Sequence, residues 1–148
     1  MSHWKDIAID MECSIEVLRR ILINIMPAWD KYIQLDPSGK LTAKSHYQPN
    51  EPTTGCSIVI PMGNETGVVG TDIGFIQVGS GKWKMKYDYK PQTAQDLEYR
   101  IKQEYATIHT IEEAKVKGLQ VAEETTEGDD NIIRILVPED YEPNQFEA

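Results

Sequence analysis

Residues 72–90 read DIGFIQVGSGKWKMKYDYK, and the fold turns on how this stretch is taken. Two runs rich in β-branched and aromatic residues flank Gly79-Ser80-Gly81, the composition of a hairpin with a short glycine connection. In the second run Lys82, Lys84, Lys86, Asp88 and Lys90 alternate with Trp83, Met85, Tyr87 and Tyr89. Successive side chains of a strand point to opposite faces, so the rings are expected inside and the lysines outside. Lysine is also a frequent guard on strands at a sheet edge. Alternate residues of a strand stand about 7 Å apart, a spacing that also suits the phosphates of an anionic ligand.

Before this hairpin, residues 3–11 (HWKDIAIDM) place Lys5, Ile7, Ile9 and Met11 on one side and Asp6, Ala8 and Asp10 on the other. That period of two predicts a half-buried first strand. Ser14 is a fitting N-cap for the helix that follows. In that helix Ile15, Leu18, Ile21, Leu22, Ile25 and Met26 form one broad apolar stripe. Pro27 ends it, because proline has no N–H to offer the next turn.

Two strands about the turn Asp36-Pro37-Ser38-Gly39 are expected next, KYIQL before it and KLTAKSHY after it. QPNEPTTG (48–55) reads as a loop, CSIVIPM as a short apolar strand, and GNETGVVG as a glycine-bearing loop.

After the central hairpin, Thr93 with Asp96 resembles a capping box, and a helix is expected over about 94–117. Leu97, Ile101, Tyr105, Ile108 and Ile111 would face inward, with Gly118 as its stop. LQVAEETT and NIIRILV then form a closing hairpin. The expected class is α+β: a mainly antiparallel sheet of about seven strands with two helices on one face. The order permits a diverged β-α-β-β duplication. A single domain is expected over residues 1–137, with 138–148 as an acidic flexible tail.

The chain has 148 residues and a net charge of −9. The charge is uneven: residues 1–100 carry 11 Lys/Arg against 12 Asp/Glu, residues 101–148 carry 4 against 12. A protein that grips duplex nucleic acid has the opposite sign, so that class is set aside. No run of about 18 apolar residues suggests a membrane span, and acids interrupt the first thirty positions where a signal peptide would be apolar. A cytoplasmic location is therefore expected, with Cys13 and Cys56 as reduced thiols.

Several stretches also line up with a known family. They are Met1-Ser2-His3-Trp4, Asp72-Ile73-Gly74-Phe75, Arg100-Ile101-Lys102-Gln103-Glu104-Tyr105-Ala106, Gly118-Leu119-Gln120-Val121 and Ile133-Arg134-Ile135-Leu136-Val137. In order and spacing they resemble the hypothetical chloroplast frame thirty-five family, small proteins of plastids, cyanobacteria, other bacteria and some phages. His3, Asp72, Gly74, Phe75 and Tyr105 match its recurring pattern. The resemblance implies a compact cytosolic or stromal protein and assigns no chemistry. Where that family often carries an aromatic-and-arginine stretch, this chain has Lys44-Ser45-His46-Tyr47-Gln48, without arginine.

No catalytic motif is present. Gly79-Ser80-Gly81-Lys82 lacks the glycine, the Ser/Thr and the helix of a phosphate-binding loop. The histidines and cysteines share no metal-ligand spacing, so no metal and no cofactor are expected. Neither cysteine has a histidine nearby in sequence, and no serine sits in a nucleophile elbow.

The leading expectation is a non-catalytic protein that binds a small anionic, nucleotide-derived molecule. Lys84 and Lys86 would hold phosphate, Arg100 would clamp it, and Trp83 or Tyr105 would stack on a base. His3 joins this set because the first strand borders the hairpin. One flat strand cannot turn lysines and rings toward the same ligand, so a second element must contribute. The rival expectations are a module that docks a protein partner or second copy by a sheet edge or the acidic tail, and a motif-poor hydrolase.

Overall fold

The computed structural model describes residues 4–88, 92–127 and 130–136, with the backbone alone at 10, 92–95, 120–127 and 130–136. The chain divides into two compact units, residues 1–102 and 103–148. The expected tail 138–148, and Tyr89 and Lys90 of the alternating run, lie outside the described residues.

The first unit opens with β1 (Trp4–Glu12) and α1 (Ile15–Ile25). The Ser14 side chain accepts the Val17 N–H at 3.2 Å, the cap that serine was expected to make. Leu18, Ile21, Leu22 and Ile25 are buried. After a single 3₁₀ turn at Pro27–Lys31 come β2 (Gln34–Leu35), β3 (Leu41–Ala43), β4 (Thr53–Cys56), β5 (Ile58–Ile60), β6 (Ile73–Val78) and β7 (Lys82–Asp88). α2 (Gln92–Val116) runs from this unit into the second, which continues with β8 (Gln120–Glu127) and β9 (Asp130–Leu136).

The class is α+β and every described strand pairing is antiparallel. The strands form a five-stranded sheet in the order β1-β7-β6-β5-β2 and two ribbons, β3-β4 and β8-β9. The central hairpin stands as expected, with Phe75 opposite Met85 and Ile76 opposite Lys84. Ile9, Trp83, Met85, Phe75, Ile73, Ile58 and Ile60 share one side of the sheet and are all buried. With the stripe of α1 and with Leu97 and Ile101 of α2 they make the core of the first unit.

The region 31–60 departs from expectation. The turn at Asp36 forms: Gly39 N–H donates to the Asp36 carbonyl at 3.0 Å, and the Asp36 carboxylate accepts from the backbone of Ser38 and Lys40. The flanking strands do not pair with each other, however. β2 joins β5 in the large sheet, whereas β3 pairs with β4, taken from the end of the expected loop 48–55. The run 53–60 divides at Ser57, with Cys56 in the ribbon and Ile58 in the sheet. Pairing is decided by which apolar faces meet, and alternation within each short run carries no sign of that. At α2, Thr93 lies inside a helix already begun at Gln92, so it is not the cap. The other end is as read: Gly118 takes φ +73°, where a side chain would be strained, and Leu119 N–H closes on the Ala114 carbonyl at 2.8 Å.

The ribbon lies on the second side of the large sheet, over Gly74. A Cβ there would stand 2.7 Å from Cys56 Sγ and 3.2 Å from Ala43 Cβ. Ala43, Cys56 and Val59 form a small buried cluster with Trp4, Leu41 and Ile76 packed against it. We expect Gly74→Ala to cost about 1–3 kcal/mol by overpacking this contact. Cys56→Ala in the same chain should recover part of that loss, and denaturant midpoints for the two single changes and the pair would check it.

Candidate functional site

The β1-β7 register sets the composition of the lysine side. Trp4 stands opposite Asp88, Asp6 opposite Lys86, and Ala8 opposite Lys84. Paired residues share a side, so Trp4, Asp6, Lys84 and Lys86 project together. The Asp6 carboxylate lies between the two ammonium groups, Oδ1 at 3.0 Å from Lys86 Nζ and Oδ2 at 4.0 Å from Lys84 Nζ. The side chains of Asp6, Lys84 and Lys86 are 50%, 37% and 20% exposed. Lys86 is the innermost because the ribbon approaches it. Burial raises the Cys56 pKa, and the Lys86 ammonium partly offsets that rise. The lysine row is thus only partly in water.

Trp4 is half-buried against the ribbon, and its indole N–H donates to the Glu51 carbonyl at 2.7 Å. The aromatic wall expected from sequence is Trp83 or Tyr105, whereas the ring that shares a side with the two lysines is Trp4. The available signal was its parity with Asp6 in β1, which becomes informative once the register with β7 is known.

Trp83 is 2% exposed on the opposite side, and its indole N–H donates to the Cys13 carbonyl at 2.9 Å. Its ring belongs to the core and presents no open face to a ligand. Arg100 donates from Nη2 to the Ile25 carbonyl at 3.3 Å, placing a cation at the negative end of α1. Tyr105 is in the second unit, its ring 6.0 Å from that of His109, which in turn pairs with Glu113 at 3.5 Å. His3 lies outside the described residues. Of the six residues named from sequence, the structure brings Lys84 and Lys86 together.

Asp88, grouped with the lysines by alternation, is 0% exposed. It accepts the Ser45 hydroxyl at 2.6 Å and the Gln48 amide at 3.4 Å, and its own N–H donates to Thr71 Oγ1 at 3.0 Å. Asp72 is buried beside this network, accepting the Lys44 N–H at 2.8 Å and the Met62 N–H at 2.9 Å. The 44–48 segment, part of which was expected in the strand KLTAKSHY, is therefore anchored through two buried carboxylates. A carboxylate can take several donors at once, and burial is tolerable when its oxygens are so engaged.

Cys13 and Cys56 are free thiols. Burial pushes the Cys13 thiol up to about 11, against a smaller opposing effect of the Trp83 indole. Among the described residues, no group of three or more His, Cys, Asp or Glu side chains could hold a metal ion. No described helix is long and apolar enough to cross a membrane.

A family model described as "protein of unknown function (DUF1257)" matches residues 40–136. The chain belongs to that family. The match runs from the start of the ribbon to the end of β9 and includes Asp72, Gly74, Lys84, Lys86 and Asp88, while Trp4 and Asp6 precede it. Comparison with curated proteins and with solved structures gave no match.

Two outcomes are expected. Asp72→Ala leaves the Lys44 and Met62 amides without their acceptor and should cost about 2–4 kcal/mol, measurable by urea unfolding. The second concerns pH. The Cys13 thiol is raised from 9.0 to about 11, so the unfolded chain loses its proton first. Stability from this group is intact below pH 9 and is lost as pH rises toward 11. Tyr87, raised by burial and by the Glu98 carboxylate, acts with the same sign. The denaturant midpoint should fall between pH about 8 and about 10.5, and fall less in Cys13→Ser.

Proposed function

We propose that this protein is a non-catalytic binding protein for a small anionic, nucleotide-derived molecule. The ligand would lie on the sheet side that carries Lys84 and Lys86, with Trp4 as its aromatic wall. One observation carries this reading: the β1-β7 register puts a half-buried tryptophan and two partly exposed lysines on one side. Ammonium groups bind phosphate as point charges, and an indole face stacks on any base. β1 would supply the second element that such a site needs. The finer kinship belongs with this proposal: within its family, the chain would be a member of the hypothetical chloroplast frame thirty-five group. Two free thiols support a reduced, cytoplasmic setting.

A second reading has its own support. Among the described residues, β1 pairs with β7 and has no strand on its other side, leaving a nine-residue strand at the sheet edge. Such an edge accepts an added strand from a partner chain. Partner binding of that kind would survive Lys84→Ala/Lys86→Ala, whereas ligand binding would not.

The test is a thermal-shift and calorimetric panel of pyrophosphate and nucleoside mono-, di- and triphosphates on the purified chain. A nucleotide should raise the melting temperature, and each lysine-to-alanine change should weaken binding roughly tenfold. Trp4→Leu should weaken nucleotides more than pyrophosphate. A panel with no shift and no heat would end this reading.

A further inference from the structure

Resting on the binding reading above, we infer that Asp6 is a built-in stand-in for the ligand's anion, and that the ligand displaces it. A carboxylate between two ammonium groups presents one oxygen to each, at 3.0 Å to Lys86 and 4.0 Å to Lys84. Two oxygens of a phosphoryl group would meet the same pair of cations in the same way. Without Asp6 the two lysines, two residues apart on one strand, would repel each other beside a ribbon that screens Lys86 from water. Asp6 therefore keeps the empty site electrostatically quiet.

Releasing Asp6 costs little. Half of its side chain is exposed, its longer contact is to the more open Lys84, where an ion pair contributes little, and the arriving phosphate takes its place against Lys86. Asp88, which is also on this side, is closed from water and engaged with Ser45 and Gln48, so it does not compete for the ligand's place.

The exchange also selects ligands. A singly charged carboxylate replaces one anion by an equivalent one and gains nothing over Asp6. A phosphoryl group bearing two or more charges gains more from both lysines than Asp6 does. The ligand class this arrangement favours is thus a di- or polyanionic phosphate, such as the diphosphate of a nucleotide, over monocarboxylates.

The experiment is calorimetry of the full chain with pyrophosphate, a nucleoside diphosphate and acetate, on wild type, Asp6→Asn and Asp6→Ser. Circular dichroism would establish that both variants are folded, and the serine variant serves if the asparagine one is not. Both should bind pyrophosphate about two- to fivefold more tightly than wild type, as expected on removing a competing exposed ion pair. Their affinity should also fall more steeply with added salt. Acetate should not bind wild type. Pyrophosphate bound by wild type but no tighter, or weaker, in both folded variants overturns the role of Asp6 and leaves the binding reading standing. Silence from all three proteins overturns both. Binding by the variants alone supports Asp6 as the competing anion.

Discussion

The contact on which the first unit depends is the one that a side chain at position 74 would destroy. Gly74 lets the β3-β4 ribbon settle on the sheet with Cys56 and Ala43 directly over its Cα. Interiors are packed to the density of organic crystals, so such a contact has no room for a methyl group. Once the ribbon is down, the second side of the sheet is no longer an open, wet surface. Val59 and Ile76 gain an apolar cover, Trp4 is drawn against it, and Lys86 is half-screened from solvent. The same placement brings the 44–48 segment to the end of β7, where Asp88 and Ser45 meet.

This changes the meaning of the residues that carry the family resemblance. Asp72 receives two backbone amides from different segments, Gly74 makes room for the ribbon, and Phe75 is wholly buried. All three serve the scaffold. Each performs a task that few residue types can: a double acceptor, an absent side chain, a large ring in the core. A pattern of such residues specifies a fold and is silent about a ligand, since function resides in sites carried by the scaffold.

The lysine side gains its character from two strands together. β7 alone supplies cations at alternate positions; β1, paired in register, supplies the carboxylate between them and the tryptophan beside them. The ion pairs from Asp6 link the two strands through side chains that stay partly exposed. Arg100 shows the contrasting case, a cation committed to a helix end and so to the fold.

The local period was enough to predict β1, α1 with its Ser14 cap, the β6-β7 hairpin, the Gly118 stop and the burial of Trp83 and Tyr87. These depend on nearest neighbours and on which side of a strand or helix is apolar, and both are written in consecutive residues. The partners of β2, β3 and β4 were beyond it, because in runs of two to four residues the alternation is too short to single out a mate. So were the burial of Asp88 and the membership of Trp4 in the candidate site. Alternation assigns a residue to a side of its strand but does not say what will cover that side. Only the tertiary structure decided this, through long-range packing of a ribbon onto a sheet at a position without a side chain.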